Sequence, residues 1–170
     1  AAQAARENVK RGIRAIVSEM AGRADYHLKD TFLTEIQSKS LEKAGEDAAL
    51  NEVLTQWCEN SDLPVVLFID EIDSLIGDTL ISVLRQIRSG YDKRPGRFPQ
   101  SIILCGVRDV RDYRIHSAKN KEIITGGSAF NIKAKSLRLG NFSKDEMVRL
   151  YKLHTEKTGQ QFTKEAFNTA

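Results

Sequence analysis

The sequence predicts an α/β fold with a mainly parallel sheet, a helical N-terminal part and the start of a further helical region at the C-terminus. Three observations carry this. Residues 65–69 and "SIILCGV" (101–107) are short apolar runs. A strand that stays apolar at successive positions, although its side chains alternate in direction, is one covered on both faces of a parallel sheet. Between the runs, Leu80, Leu84, Ile87 and Tyr91 recur at helical spacing, which makes the unit strand–helix–strand. The first sixty residues carry helical periodicity and no strand signal.

Each element follows from its residues. Val9, Ile13, Ile16, Val17 and Met20 predict a helix over 4–22. Leu28, Phe32, Leu33, Ile36 and Leu41 predict a second over 25–43, which "AGED" at Gly45 breaks. Leu50, Val53, Leu54 and Trp57 predict a third over 46–60, with Trp57 as a core anchor. Pro64 opens the first strand. The helix after it ends at Gly90 and "DKRPGRFP", and the second strand follows. Residues 108–131 are polar, and alternation in Ala134, Ser136, Leu137 and Leu139 predicts a short third strand. Ser143 and Glu146 have the spacing of a capping box, with Met147, Leu150, Tyr151 and His154 on one face of the helix behind it. Thr163 has the character of an N-cap for one more helix.

The 170 residues suit one domain or most of one. We divide them into 1–139, an α/β part, and 140–170, the start of a helical part. No apolar run approaches the roughly 20 residues of a membrane helix. With no basic-then-apolar leader, the expectation is a cytoplasmic protein that meets no membrane. Cys58 and Cys105 have no metal-ligand spacing and read as packed thiols, and His27, His116 and His154 read as structural or surface residues. Charge is uneven: net −7 over 1–84, +9 over 85–138 and +1 over 139–170. The basic middle third suits an anionic partner, whether nucleotide, nucleic acid or an acidic protein surface.

The chemistry concentrates in "PVVLFIDEIDSL" (64–75), where buried aliphatics run into Asp70, Glu71 and Asp73. A strand of this kind is a rigid post that holds a carboxylate at its tip, the end of a parallel sheet where functional residues gather. Asp70 suits a Mg²⁺ held through its water shell. Glu71, pointing the other way, suits a base that polarises water beside a γ-phosphate. The plainer alternative is that Asp70 is a helix N-cap and Asp73 a first-turn acid.

Four hydrophobic residues followed by Asp-Glu form the Walker-B pattern of AAA-type ATPases, and "VLFIDEID" resembles it closely. In P-loop ATPases the neighbouring strand carries a polar sensor at its tip; here that place falls to Arg108, after "CGV". An arginine there resembles the signalling ATPases grouped as STAND, which include NACHT and NB-ARC modules. "LRLGNFSKDEMVRLY" (137–151) resembles the junction between a short strand and the capped helix that opens the lid. The resemblance spans about 64–155 and rests on the order of the motifs.

It implies a partial P-loop NTPase (AAA-like) core of bacterial type. ATP and Mg²⁺ are the implied cofactors, with Glu71 and Arg108 catalytic, Asp70, Glu71 and Arg108 in contact with the nucleotide, and Asp70 on the metal through water. Self-association through the ATPase domain is also implied. Arg111 and Arg114 stand for the sensor role or for a neighbour's site; the alternative for Arg108 is pairing with Asp109 or Asp112 on a solvated loop.

The phosphate-binding G-x-x-x-x-G-K-[ST] is missing: no glycine is followed by lysine, and "TGGSAF" (125–130) reads as a turn. The expectation is a fragment whose P-loop lies upstream of Ala1, inactive alone. A second class stays open, a nucleic-acid-binding or protein-interaction module using 85–138, with a patch from Arg85, Arg88, Lys93, Arg94 and Arg97.

Overall fold

The computed structural model describes residues 8–107, 115–116, 123–124, 135 and 137–169, the side chains of 115–116, 123–124 and 168–169 excepted. The chain separates into two compact units, Ala1–Ala134 and Lys135–Ala170.

In the first unit, helices α1 (Val9–Arg23), α2 (Phe32–Ala44) and α3 (Ala49–Asn60) precede strand β1 (Val66–Ile69), helix α4 (Gly77–Ser89) and strand β2 (Ser101–Leu104). β1 and β2 pair in parallel, with Val66 opposite Ser101 and Ile69 opposite Leu104. A short antiparallel pair, β3 (Ile115–His116) and β4 (Ile123–Ile124), follows. It falls inside the stretch read from sequence only as polar. The α/β class with a parallel sheet and a helical N-terminal part is therefore the architecture observed.

The apolar stripes read from the sequence converge on one core. Ile13 and Val17 of α1, Leu33 of α2, Leu50, Val53 and Leu54 of α3, and Leu80, Val83, Leu84 and Ile87 of α4 are buried together with Leu67 of β1. Phe98, in the loop before β2, is fully buried against Gly90: a Cβ at Gly90 would stand 2.2 Å from the Phe98 ring. Glycine is what ends α4 closely enough for that ring to enter the core.

Most polar groups inside this layer are paired, the buried Thr79 hydroxyl of α4 being an exception. α3 begins at Ala48 without a side-chain cap of its own. Gln86, buried on α4, replaces it: its Oε1 accepts the Leu50 and Asn51 N–H groups at 2.8 and 3.3 Å, and its Nε2 donates to the Glu46 carbonyl at 2.9 Å and to Ser82 Oγ at 3.1 Å. Two otherwise orphaned helix-start donors are satisfied this way. Trp57 Nε1 donates to Asp30 Oδ2 at 2.8 Å, so the anchor expected at Trp57 is tied to the turn before α2.

Three expectations need correction. The first break in the N-terminal helices falls later than residues 23–24. α1 runs on into a π-helical turn, Ala24–Leu28, and stops where Lys29 takes a left-handed backbone (φ 59°) and Asp30 Oδ1 accepts the Phe32 N–H. The sheet is covered on one face only among the described residues. Leu67 faces the helices, but Val66 (49% exposed), Phe68 (66%) and Ile103 (38%) look the other way. Residues 137–140 form no strand, and Leu137 and Leu139 are exposed; among the described residues no partner strand pairs with them. Ala134 and Ser136, of the same expectation, lie outside the described residues.

The second unit holds α5 (Lys144–Thr158) and α6 (Lys164–Thr169). The capping box is formed: the Ser143 side chain accepts the Glu146 N–H while Glu146 Oε2 accepts the Ser143 N–H at 2.7 Å. Those bonds hold the Glu146 carboxyl below its ordinary value. Tyr151 of α5 stacks on Phe162 at 4.5 Å and meets Phe167 of α6 at 5.5 Å. Among the described residues, no helix is long and apolar enough to cross a membrane.

Candidate functional site

The site is built at the carboxyl ends of the two parallel strands. The ladder does not stop at Ile69 and Leu104. The Cys105 N–H donates to the Ile69 carbonyl at 2.8 Å, and the Ile72 N–H donates to the Cys105 carbonyl at 3.0 Å. Both strand tips are thereby held side by side, with Asp70 and Glu71 on one and residues 105–107 on the other.

Asp70 follows directly on β1 and is exposed. Its Oδ1 accepts the N–H of Glu71 at 2.9 Å. It is not a helix cap: neither the 3₁₀ turn Ile72–Ser74 nor α4 takes a side-chain cap. The plainer reading of Asp70 thus finds no support in the local geometry.

Glu71 is exposed and sits at φ 52°, ψ 39°, the left-handed region. A residue with a Cβ pays about 1–2 kcal/mol for this conformation. The strand therefore turns sharply at its tip.

Asp73 lies in the 3₁₀ turn, and its Oδ2 accepts the Val107 N–H at 3.3 Å. It is the first-turn acid of that turn, as the plainer sequence reading had it, but the bond across to Val107 was not read from the sequence. The signal was "CGV": Gly106 is where the turn after β1 comes close to β2.

A Mg²⁺ ion fits the donor chemistry at Asp70, a hard carboxylate at an exposed strand tip. Among the described residues no group of three or more His, Cys, Asp or Glu could hold a metal. Arg108, Arg111, Arg114 and "TGGSAF" lie outside the described residues.

Of the basic patch expected of the alternative class, Lys93 and Arg94 are partly drawn into the fold, while Arg85, Arg88 and Arg97 are exposed. Lys93 Nζ donates to Asn51 Oδ1 at 2.7 Å and Thr55 Oγ1 at 3.0 Å. Arg97 pairs with Glu59, and the Arg94 guanidinium lies 4.8 Å over the Tyr91 ring. Arg85 and Arg88 are exposed on α4. The loop 91–99 leads into the start of β2, the end of the strand away from the acids. Cys58 is buried, which pushes its thiol up to about 11 and keeps it protonated at neutral pH; packing is its role, as expected.

No curated protein matches the chain, and neither does any solved structure. A family model does: the ATPase family associated with various cellular activities (AAA), over residues 13–150. The match takes in the helical layer, both parallel strands and the acid-tipped turn between them, as well as the start of α5. Set beside a parallel strand pair with a carboxylate pair at its tip, it establishes that the chain belongs to the AAA family of P-loop ATPases.

Proposed function

We propose that this chain supplies the acidic half of a Mg-ATP site, with Asp70 holding the hydrated metal and Glu71 acting as general base on water. The observation that carries the reading is the backbone of Glu71. A left-handed glutamate at a strand tip is strained, and strain of this kind persists where it aims a functional side chain. Bound Mg²⁺ would neutralise charge on the β- and γ-phosphate oxygens. Asp70 would orient its water shell, since its Oδ1 is already oriented by the Glu71 N–H. Glu71, exposed and free of the strand ladder, would accept a proton from the attacking water.

Arg108 follows Val107 in the sequence and is assigned the sensor role at the γ-phosphate, in its own site or a neighbour's. That arginine is what supports a STAND-type, bacterial member of the family. Residues 1–139 form the nucleotide-binding part and 140–170 the start of the lid. ATP is the ligand and a second copy of the ATPase domain a partner. The phosphate-cradling loop comes from outside these 170 residues, because no Gly-Lys step lies within them. The 170 residues alone therefore bind ATP poorly and do not turn it over.

The test is a Mg²⁺ titration of ATP turnover by the whole protein that carries these residues. Asp70→Asn raises the Mg²⁺ concentration for half-maximal rate about tenfold or more, the scale of losing one charged ligand interaction. An unchanged Mg²⁺ requirement removes Asp70 from the metal.

A further inference from the structure

The turn after β1 is stitched to the tip of β2 by residues that the proposed chemistry does not use. Beyond the Ile72–Cys105 and Cys105–Ile69 backbone bonds, β2 has no further ladder partner among the described residues. Val107 is exposed, and a backbone that has left its sheet frays unless something holds it. What holds it is Asp73, whose Oδ2 accepts the Val107 N–H at 3.3 Å.

Gly106 makes this approach possible. A Cβ at Gly106 would stand 3.1 Å from Ile72 Cγ2 and 3.3 Å from Asp73 Oδ1, so any side chain there presses on both residues of the turn. Ile72 cannot easily give way, because it is buried in the core. Asp73, next to that buried residue in the turn, reaches across to the other strand. Past the last backbone bond between the two strands, a single carboxylate holds the chain that leaves β2 near the acid pair.

We propose that Asp73 is a positioning residue that fixes the Gly106–Val107 tip of β2 beside Asp70 and Glu71. The proposal rests on the Mg-ATP reading of that acid pair. Asp73 itself touches neither metal nor nucleotide. It acts through the Val107 N–H, and Arg108 follows Val107 in the sequence. An asparagine offers the same acceptor oxygen without the charge, whereas an alanine offers none.

The test uses the whole protein that carries these residues, with steady-state ATPase kinetics and hydrogen exchange of the peptide spanning 101–107. Asp73→Ala lowers kcat about tenfold with KM for ATP held within about twofold, the pattern of misplaced groups and not of lost binding. It also speeds exchange in that peptide. Asp73→Asn restores both. Gly106→Ala moves both in the same direction as Asp73→Ala, and serves in its place should that variant not fold. Unchanged kcat in Asp73→Ala overturns the proposal, with or without faster exchange. So does an Asp73→Asn variant as slow as Asp73→Ala with a raised Mg²⁺ requirement, which makes the carboxylate a metal ligand. Failure of the underlying reading looks different: wild type and Glu71→Gln are then equally inert. The positioning role falls with it, while exchange still reports whether Asp73 holds the tip of β2.

Discussion

The two faces of the first unit are built on opposite terms. On the helix side of β1, apolar side chains from four helices pack with Leu67 in one core, and the buried start of one helix is capped by a glutamine from another. At the tip of β1, three and four residues later, two acids stand exposed and one of them holds a left-handed backbone. The first region follows the rules of packing and, apart from the buried Thr79 hydroxyl, of pairing. The second violates several within three residues. Stability is gathered in the helical layer, and it is this layer that makes the strained tip affordable.

The sharpest way to break that contrast is to damage the layer and leave the tip alone. Gln86→Leu removes the substitute cap of α3 and strands the Glu46 carbonyl. Stability falls by about 2–3 kcal/mol, the sum of a lost cap and a buried group left unpaired. Urea unfolding of the first unit reads this directly. A loss within error of zero would mean that the Gln86 bonds are replaced by water at no cost.

The same contrast was only partly legible in the sequence. Periodicity found the helices because their apolar stripes are local, and the capping box at Ser143 and Glu146 is a local signature too. The parallel pair was legible from two apolar runs with a helix between them. Gln86 was not, because its partners lie 35 and 36 residues away and no spacing rule links them. Phe98 was hidden in a loop read as basic, and its burial depends on the close approach of Gly90. Asp70 and Glu71 could be picked out as a pair at a strand end, but not the left-handed turn between them, which Glu71 adopts despite its Cβ. Nor could alternation tell that Val66, Phe68 and Ile103 would stand open, since a run apolar at every position speaks only of faces that can be covered.

A smaller effect of opposite sign comes from relieving the tip. Glu71→Gly accepts φ 52° without a Cβ and stabilises the first unit by about 0.5–1 kcal/mol, while removing the proposed base. Thermal or urea unfolding checks it. A variant less stable than wild type would show that the glutamate, strained or not, contributes to holding the turn.

The smallest effect lies in the second unit. Hydrogen bonds from the Ser143 backbone and side chain hold the Glu146 carboxyl below the ordinary glutamate range. A carboxyl lowered by folding contributes stability above its unfolded value and loses it as pH falls through the folded one. The first turn of α5 therefore frays below about pH 4.5, seen as faster exchange of the Glu146 amide, and Glu146→Gln removes that pH dependence. Fraying of equal size in the glutamine variant would trace it to other groups.

The most direct test of the central claim is ATP binding and ATP turnover by Glu71→Gln in the whole protein that carries these residues. The account predicts turnover lowered by about 10²-fold or more, as for loss of a general base, with ATP affinity retained. Turnover equal to wild type, or affinity lost in step with rate, would contradict the role given to the strained glutamate at the tip of β1.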